Sequence, residues 1–377
     1  LLEEDVMEIG IVEIMPAYGY PGITDTQIYQ DEIALGVAAD RLGFDHLWVV
    51  EHHFENYSLC PDNFVYLAHL AALTKNIKLA TGAVIVPWNL QPLRIAEKAA
   101  LLDQLSGGRA LLGLGRGLAR REFSQMGVAM DESRERFDES SPLIIEALET
   151  GWFPEHKGKF FTQPKAPIRP APVNNNWRDS RVTQVAMSPD SCEQAAKLGI
   201  QMMAFNYKPP EVQRKEIEDY QAAFRRYHGK EPRPVLLTEM TVCDTNAARA
   251  REHAEQYCAN YCISVLNHYE LLGEQFDGST GYKNYAAAAE AMRSMGKEAI
   301  VKAYVEQQIW GTPDQMLRKF EERFKVMGPY GVLTAFRFGG APLDVAMRGM
   351  ELFAKEVMPV LRSWDQASKS QVTARAA

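Results

Sequence analysis

An acid, two histidines and an aromatic in a row, Glu51-His52-His53-Phe54, end the apolar stretch Phe44–Val50. Imidazole titrates near neutrality, so a histidine here could act as base or proton donor. Neighbouring side chains on a strand point to opposite faces, so only one of the pair should face a given cavity. Two more apolar stretches end unusually. Ile77–Val86 is interrupted by Thr81-Gly82-Ala83, and Arg109–Leu114 runs into Gly113-Leu114-Gly115-Arg116-Gly117-Leu118. Glycine inside a strand marks a bulge, or a place where a ligand or another element packs close. Arg116 offers a planar fork matched to phosphate. The glycine spacing is not GxGxxG and follows a fourth strand, so it is no dinucleotide fingerprint.

A fourth run, Ala186-Met187-Ser188-Pro189-Asp190-Ser191, leads from a strand into a helix. Backbone N–H groups at such a start bind anions, and Ser188 and Ser191 add hydroxyls. The same residues would also serve as an ordinary N-cap. His268 is a further candidate, and Trp88, Trp177, Trp310, Phe336 and Phe338 are candidates to line a substrate cavity. Neither HxH nor HExxH occurs, so no catalytic metal is expected. Cys60, Cys192, Cys243, Cys258 and Cys262 show no CxxC or zinc spacing and read as buried free thiols.

The elements that must position these residues alternate. Apolar β-rich runs begin near Val6, Phe44, Ile77, Arg109, Arg181, Ile200, Val235 and Gly331, and helical patterns follow them. Continuous apolar strands between amphipathic helices imply a parallel sheet with its outer face covered. Eight such strands predict an α/β fold, a (β/α)8 TIM barrel, as one domain over 1–377 with insertions after strands 4 and 7, at about 151–180 and 268–300. Barrel enzymes place chemistry at the C-terminal strand ends, where the first three motifs fall. Both insertions are expected to act as lids, and the tail 366–377 to fray. The net charge of −8, without a long basic block, argues against nucleic acid. No apolar run is long enough for a membrane span, and the acidic start carries no signal-peptide pattern, so a cytoplasmic protein is expected.

Taken together, Glu51-His52-His53-Phe54, Thr81-Gly82-Ala83 and Gly113–Leu118 resemble the bacterial luciferase-like family of flavin-dependent monooxygenases, over most of the chain. The resemblance implies that His52 lies beside the reacting position of the flavin as base or proton donor. It places Glu51, Thr81, Gly82, Ala83, Arg116, Leu118, Met187, Ser188 and Ser191 around the cofactor. A cis peptide between Gly82 and Ala83 faces the ring, Arg116 takes the phosphate, and Leu118 lies near the ring. Met187 stands where the family can have Glu. Some luciferases carry a reactive Cys just before the phosphate-binding Arg; here that residue is Gly115, so light emission is not implied. The implied activity uses reduced FMN, supplied by a separate NAD(P)H:flavin reductase, and O2. It proceeds through a C4a-(hydro)peroxyflavin to aldehyde oxidation, Baeyer–Villiger oxidation or hydroxylation of a small hydrophobic compound. A homodimer or higher oligomer is expected. The alternatives are hydride transfer with the deazaflavin coenzyme F420, a metal-dependent hydrolase, or a flavin-binding protein without turnover.

Overall fold

The computed structural model describes residues 7–274, 276 and 282–364. Eight parallel strands close a barrel: β1 (Ile9–Glu13), β2 (His46–Val49), β3 (Lys78–Thr81), β4 (Ala110–Gly115), β5 (Val182–Val185), β6 (Gln201–Phe205), β7 (Leu236–Cys243) and β8 (Gly331–Ala335). The β5–β4 register, Val182 beside Leu112, and the β8–β1 register, Val332 beside Ile9, complete the ring. Alternation along each strand divides the core. Leu47, Val49, Leu79 and Leu112 pack outward under the helices. Trp48, Ala80, Leu111, Met240 and Leu333 fill the inside of the barrel. This two-sided burial explains why the strands read as continuous apolar runs.

The principal helices are α1 (Asp25–Leu42), α2 (Asn63–Leu73), α3 (Pro92–Leu105), α4 (Ser133–Thr150), α5 (Pro189–Leu198), α6 (Pro210–His228), α7 (Ala247–His268), α8 (Lys283–Met295), α9 (Lys297–Gln307), α10 (Pro313–Met327) and α11 (Leu343–Leu352). Their ends follow local chemistry. The Asp62 carboxylate accepts two N–H groups at the start of α2, Thr312 and Gln315 form a capping box on α10, and Gly43 closes α1 in the left-handed conformation. All five cysteines are buried and unpaired in disulfides. No helix among the described residues is long and apolar enough to cross a membrane.

The two insertions do not share a role. Residues 151–180 form two short ribbons, pairing Trp152–Phe153 with Ala166–Pro167 and His156–Lys157 with Thr162–Gln163. They then run across the end of α3, where Val173 N–H donates to Asp103 Oδ2 at 2.7 Å and Gln104 donates to the Ala171 carbonyl. That is the N-terminal end of the barrel, so the expectation of a lid is corrected for this segment. The prolines, including a cis Arg169–Pro170 bond, set its path there. The second insertion does rise over the C-terminal ends, through α8. Its Gly278 and Gly281, and the tail 366–377, lie outside the described residues.

Candidate functional site

A cavity of about 410 Å3 opens at the C-terminal ends of the strands, within the roughly 300–1,000 Å3 usual for small-molecule sites. The ends of β2 to β6 contribute to it, and α7 and α8 close one side with Val265, Tyr269, Tyr285 and Met292.

His52 enters from the end of β2 and lines the cavity. Its Nδ1 lies 3.1 Å from Glu122 Oε1, and its Nε2 lies 3.3 Å from the Tyr269 hydroxyl. Glu122 sits on the short helix Arg120–Gln125 just beyond β4, and also accepts the His53 backbone N–H at 2.7 Å. Burial alone would raise the Glu122 carboxyl, but the imidazole of His52, with His268 and the His53 N–H, holds it below its ordinary value. His268, at the end of α7, stacks on Tyr57 with ring centroids 4.3 Å apart and faces Glu55 Oε2 through Nδ1 at 3.1 Å. Burial, with His52 next to it, pushes His268 down to about 4, so it is neutral at pH 7. His53 turns away toward Glu51 Oε1 and Trp88. The alternation expected for the two histidines therefore holds.

Glu51 organises the next strand end. Its carboxylate accepts the Trp88 indole N–H at 2.8 Å and the Ile85 backbone N–H at 3.1 Å. Just before Ile85 the chain bulges. Ala80 is level with Leu111 and Val84 with Leu114, so β3 spends four residues where β4 spends three. Within the bulge the Gly82–Ala83 peptide is cis, as the resemblance implies, and both residues line the cavity. Asn63 supports it from α2, donating to the Val49 and Ala83 carbonyls at 3.2 Å each.

The opposite end of the cavity is cationic. The Arg116 guanidinium lies over the Tyr282 ring at 4.2 Å. Arg134 lies close enough for the Arg116 charge to depress it further, after burial. Among the described residues its Nη2 has no hydrogen-bond partner, and the nearest carboxylate is Asp190 at 3.7 Å. The N-terminus of α5 meets the cavity through Pro189 and Ser191. Two crowded guanidiniums beside a helix N-terminus fit a phosphate-bearing cofactor. Lys208 also reaches the wall but is committed to Glu216 Oε1 at 2.5 Å and the Met187 carbonyl at 3.0 Å.

Of the residues singled out in the sequence, Glu51, His52, Gly82, Ala83, Arg116, Leu118, Met187 and Ser191 line this one cavity. Thr81 and Ser188 do not. The Thr81 hydroxyl is exchanged with the Gly113 backbone on both sides at 2.9 Å, and Ser188 caps α5, its Oγ accepting the Ser191 N–H. Trp88, Trp177, Trp310, Phe336 and Phe338 stay in the protein interior or behind Glu51; the cavity's aromatics are Tyr57, Phe205, Tyr207, Tyr269 and Tyr285. Sequence reasoning missed Glu122, Tyr269 and Arg134, which come from loops and helix ends that carry no motif. Among the described residues, His52, Glu122 and His268 also bring ligand-type atoms within 4.8 Å of one another. Direct hydrogen bonding accounts for the closest of these contacts, between His52 and Glu122.

The chain is similar to several known proteins. The alkanal monooxygenase alpha chain of Photorhabdus luminescens is 25% identical over 356 residues, 92% of this chain and 95% of that one. The oxygenase component of the flavin-dependent trigonelline monooxygenase of Acinetobacter baylyi is 31% identical over 252 residues, 65% of this chain and 66% of that one. Among solved structures, the monooxygenase RslO1 from Streptomyces bottropensis superposes with a TM-score of 0.78 at 25% identity, covering 94% of this chain and 99% of that one. The fold is shared more widely: the oxygenating constituent of 3,6-diketocamphane monooxygenase from Pseudomonas putida, in complex with FMN, gives 0.75 at 20% identity, covering 94% and 98%. A coenzyme F420-dependent secondary alcohol dehydrogenase gives 0.68 at 18%, covering 94% and 99%. The family description of luciferase-like monooxygenases matches residues 12–329, and the chain belongs to that family.

Proposed function

We propose that the chain is the oxygenase of a two-component system, taking reduced FMN from a separate NAD(P)H:flavin reductase and oxidising a small, uncharged, largely apolar compound with O2. The observation that carries this reading is the convergence in one cavity of a strand-end histidine, a bulged Gly82–Ala83 backbone and the Arg116 guanidinium, with Arg134 beside it. The relative named as an oxygenase component supports the separate reductase. The reduced flavin, when bound, supplies the electrons that activate O2.

The rest falls to this chain's side chains. Arg116, Arg134 and Ser191 hold the phosphate. Gly82, Ala83 and Leu118 give the ring a flat, close wall. His52 Nε2 accepts or returns a proton at the reacting centre. Val50, Val185, Phe205, Val265 and Met292 exclude water and receive an apolar substrate. A homodimer or higher oligomer, located in the cytoplasm, belongs to the same reading. Hydride transfer with coenzyme F420 is the second reading, favoured by the likeness to deazaflavin enzymes of the same fold.

One comparison separates them. The purified chain is loaded anaerobically with reduced FMN, mixed with oxygenated buffer and followed by absorbance, in parallel with reduced F420 and carbonyl acceptors. The proposal expects a transient that free flavin lacks, together with protein-dependent O2 consumption. Flavin reoxidation at the free rate without a transient, alongside F420 turnover, would overturn it.

A further inference from the structure

We infer that Tyr269 is a further catalytic residue, acting with His52 and Glu122 as one proton-handling unit. In it the carboxylate of Glu122 fixes the imidazole proton on Nδ1, and the Tyr269 hydroxyl carries protons between the cavity and Nε2. The geometry assigns each hydrogen. Glu122 Oε1 faces both the His53 N–H at 2.7 Å and His52 Nδ1 at 3.1 Å. An ionised carboxylate only accepts, so Nδ1 must carry the hydrogen, and in the neutral ring the lone pair is left on Nε2. That lone pair lies 3.3 Å from the Tyr269 hydroxyl, which lines the cavity. Burial raises this phenol well above its ordinary value, so it stays neutral and donates into Nε2.

The surroundings leave the Glu122 contact to His52. His268 stands behind it, ring centroids 4.9 Å apart, with Nε2 3.7 Å from Glu122 Oε1 and Nδ1 facing Glu55. Its own proton is therefore turned toward Glu55, and it does not compete for Glu122. Among the described residues, the other charged and polar groups facing the unit pair among themselves: Arg121 with Glu55 from the short helix, Arg120 with Glu270 just past α7, and His53 with Glu51. Tyr57 packs edge-on to His52, and burial keeps its phenol neutral too. A proton leaving a group in the cavity passes to the Tyr269 oxygen as the phenol proton passes to Nε2. Tyrosine is unchanged, the imidazolium faces Glu122, and nothing is oxidised or reduced. The reverse pair of transfers returns the proton.

The role in turnover rests on the reading proposed above; the proton positions do not, so they are tested without cofactor. Full-length protein labelled with 15N-histidine is titrated by long-range 1H–15N correlation, with the His52→Asn spectrum identifying the resonance. His52 is expected as the Nδ1–H tautomer above its pKa. Glu122→Gln should lower that pKa and Tyr269→Phe should raise it, each by at least about half a unit. An Nε2–H tautomer in the unaltered chain, or a pKa unmoved by Tyr269→Phe, would overturn the inference. With reductase and reduced FMN, Tyr269→Phe should reduce kcat at neutral pH by about 10-fold or more while flavin binding holds; an unchanged kcat would also overturn it. If the unaltered chain shows no flavin turnover while the proton positions hold, the functional proposal fails and the inference on His52 stands.

Discussion

His52 and Arg116 belong to opposite ends of the cavity, and their removal should separate two quantities. His52→Ala is expected to lower turnover by about 100-fold or more, the usual weight of a general acid–base group, while leaving FMN affinity within a few-fold. Arg116→Ala removes a charge-assisted contact worth roughly 1.5–3 kcal/mol and should weaken FMN binding by about 10- to 100-fold. Equilibrium dialysis and steady-state kinetics on the two variants check the split; equal losses in both quantities would contradict it. His52 and Arg116 were legible in the sequence because each sits in a compact run whose residue types are costly to place without use. Glu122 and Tyr269 were not. They reach His52 across sequence separations of 70 and 217 residues, and nothing near them departs from an ordinary polar helix end.

At the scale of elements, the bulge in β3 depends on a neighbour with no side chain. A Cβ on Gly113 would come within 2.1 Å of the Thr81 carbonyl oxygen, and that oxygen is backbone and cannot step aside. Gly113→Ala should therefore cost several kcal/mol, at the large end for a single substitution, and lower the thermal midpoint markedly. Gly82→Ala meets the Trp48 Cβ at 3.1 Å and the Val49 backbone no closer than 3.4 Å, and should be milder. Thermal melts of the two variants test the order. Element identities were largely readable, since two-sided burial and cap residues write themselves into composition. What 151–180 does was not readable. Its prolines announce an excursion, but only the pairing of Val173 and Ala171 with the end of α3 shows at which end of the barrel it lies.

For the whole molecule, buried charge sets the response to acid. His268 takes a proton near 6.5 when unfolded and near 4 when folded. Between those values the unfolded chain binds more protons, so this group's contribution is complete above pH 6.5 and declines as pH falls toward 4, by up to roughly 3 kcal/mol. Glu32 acts oppositely. Burial raises it to about 7 despite its ion pair with Arg337 at 2.8 Å, so its contribution declines as pH rises from 4.5 to 7. The readable quantity is therefore a difference. Urea stability of His268→Asn minus that of the unaltered chain should rise as pH falls from 6.5 to 4.5, and a flat difference would contradict it. Arg337 is itself buried between Asp31 at 2.9 Å and Glu32. Arg337→Met would strand two carboxylates and should destabilise the fold by about 3–5 kcal/mol, as denaturant titration would show.

The five buried thiols bear on how this protein survives its own chemistry. Burial pushes Cys192, Cys243 and Cys262 up to about 12, and Cys60 and Cys258 higher still. Thiolate, not thiol, is the form that attacks peroxides and disulfide reagents, and Gly115 leaves none beside Arg116. An oxygenase that wastes some of its reducing power as hydrogen peroxide would thus meet no accessible thiolate on its own chain, leaving methionine, exposed at Met295 and lining the cavity at Met187 and Met292, as the sulfur within reach. Native protein should leave Ellman's reagent colourless over minutes and release five equivalents once unfolded.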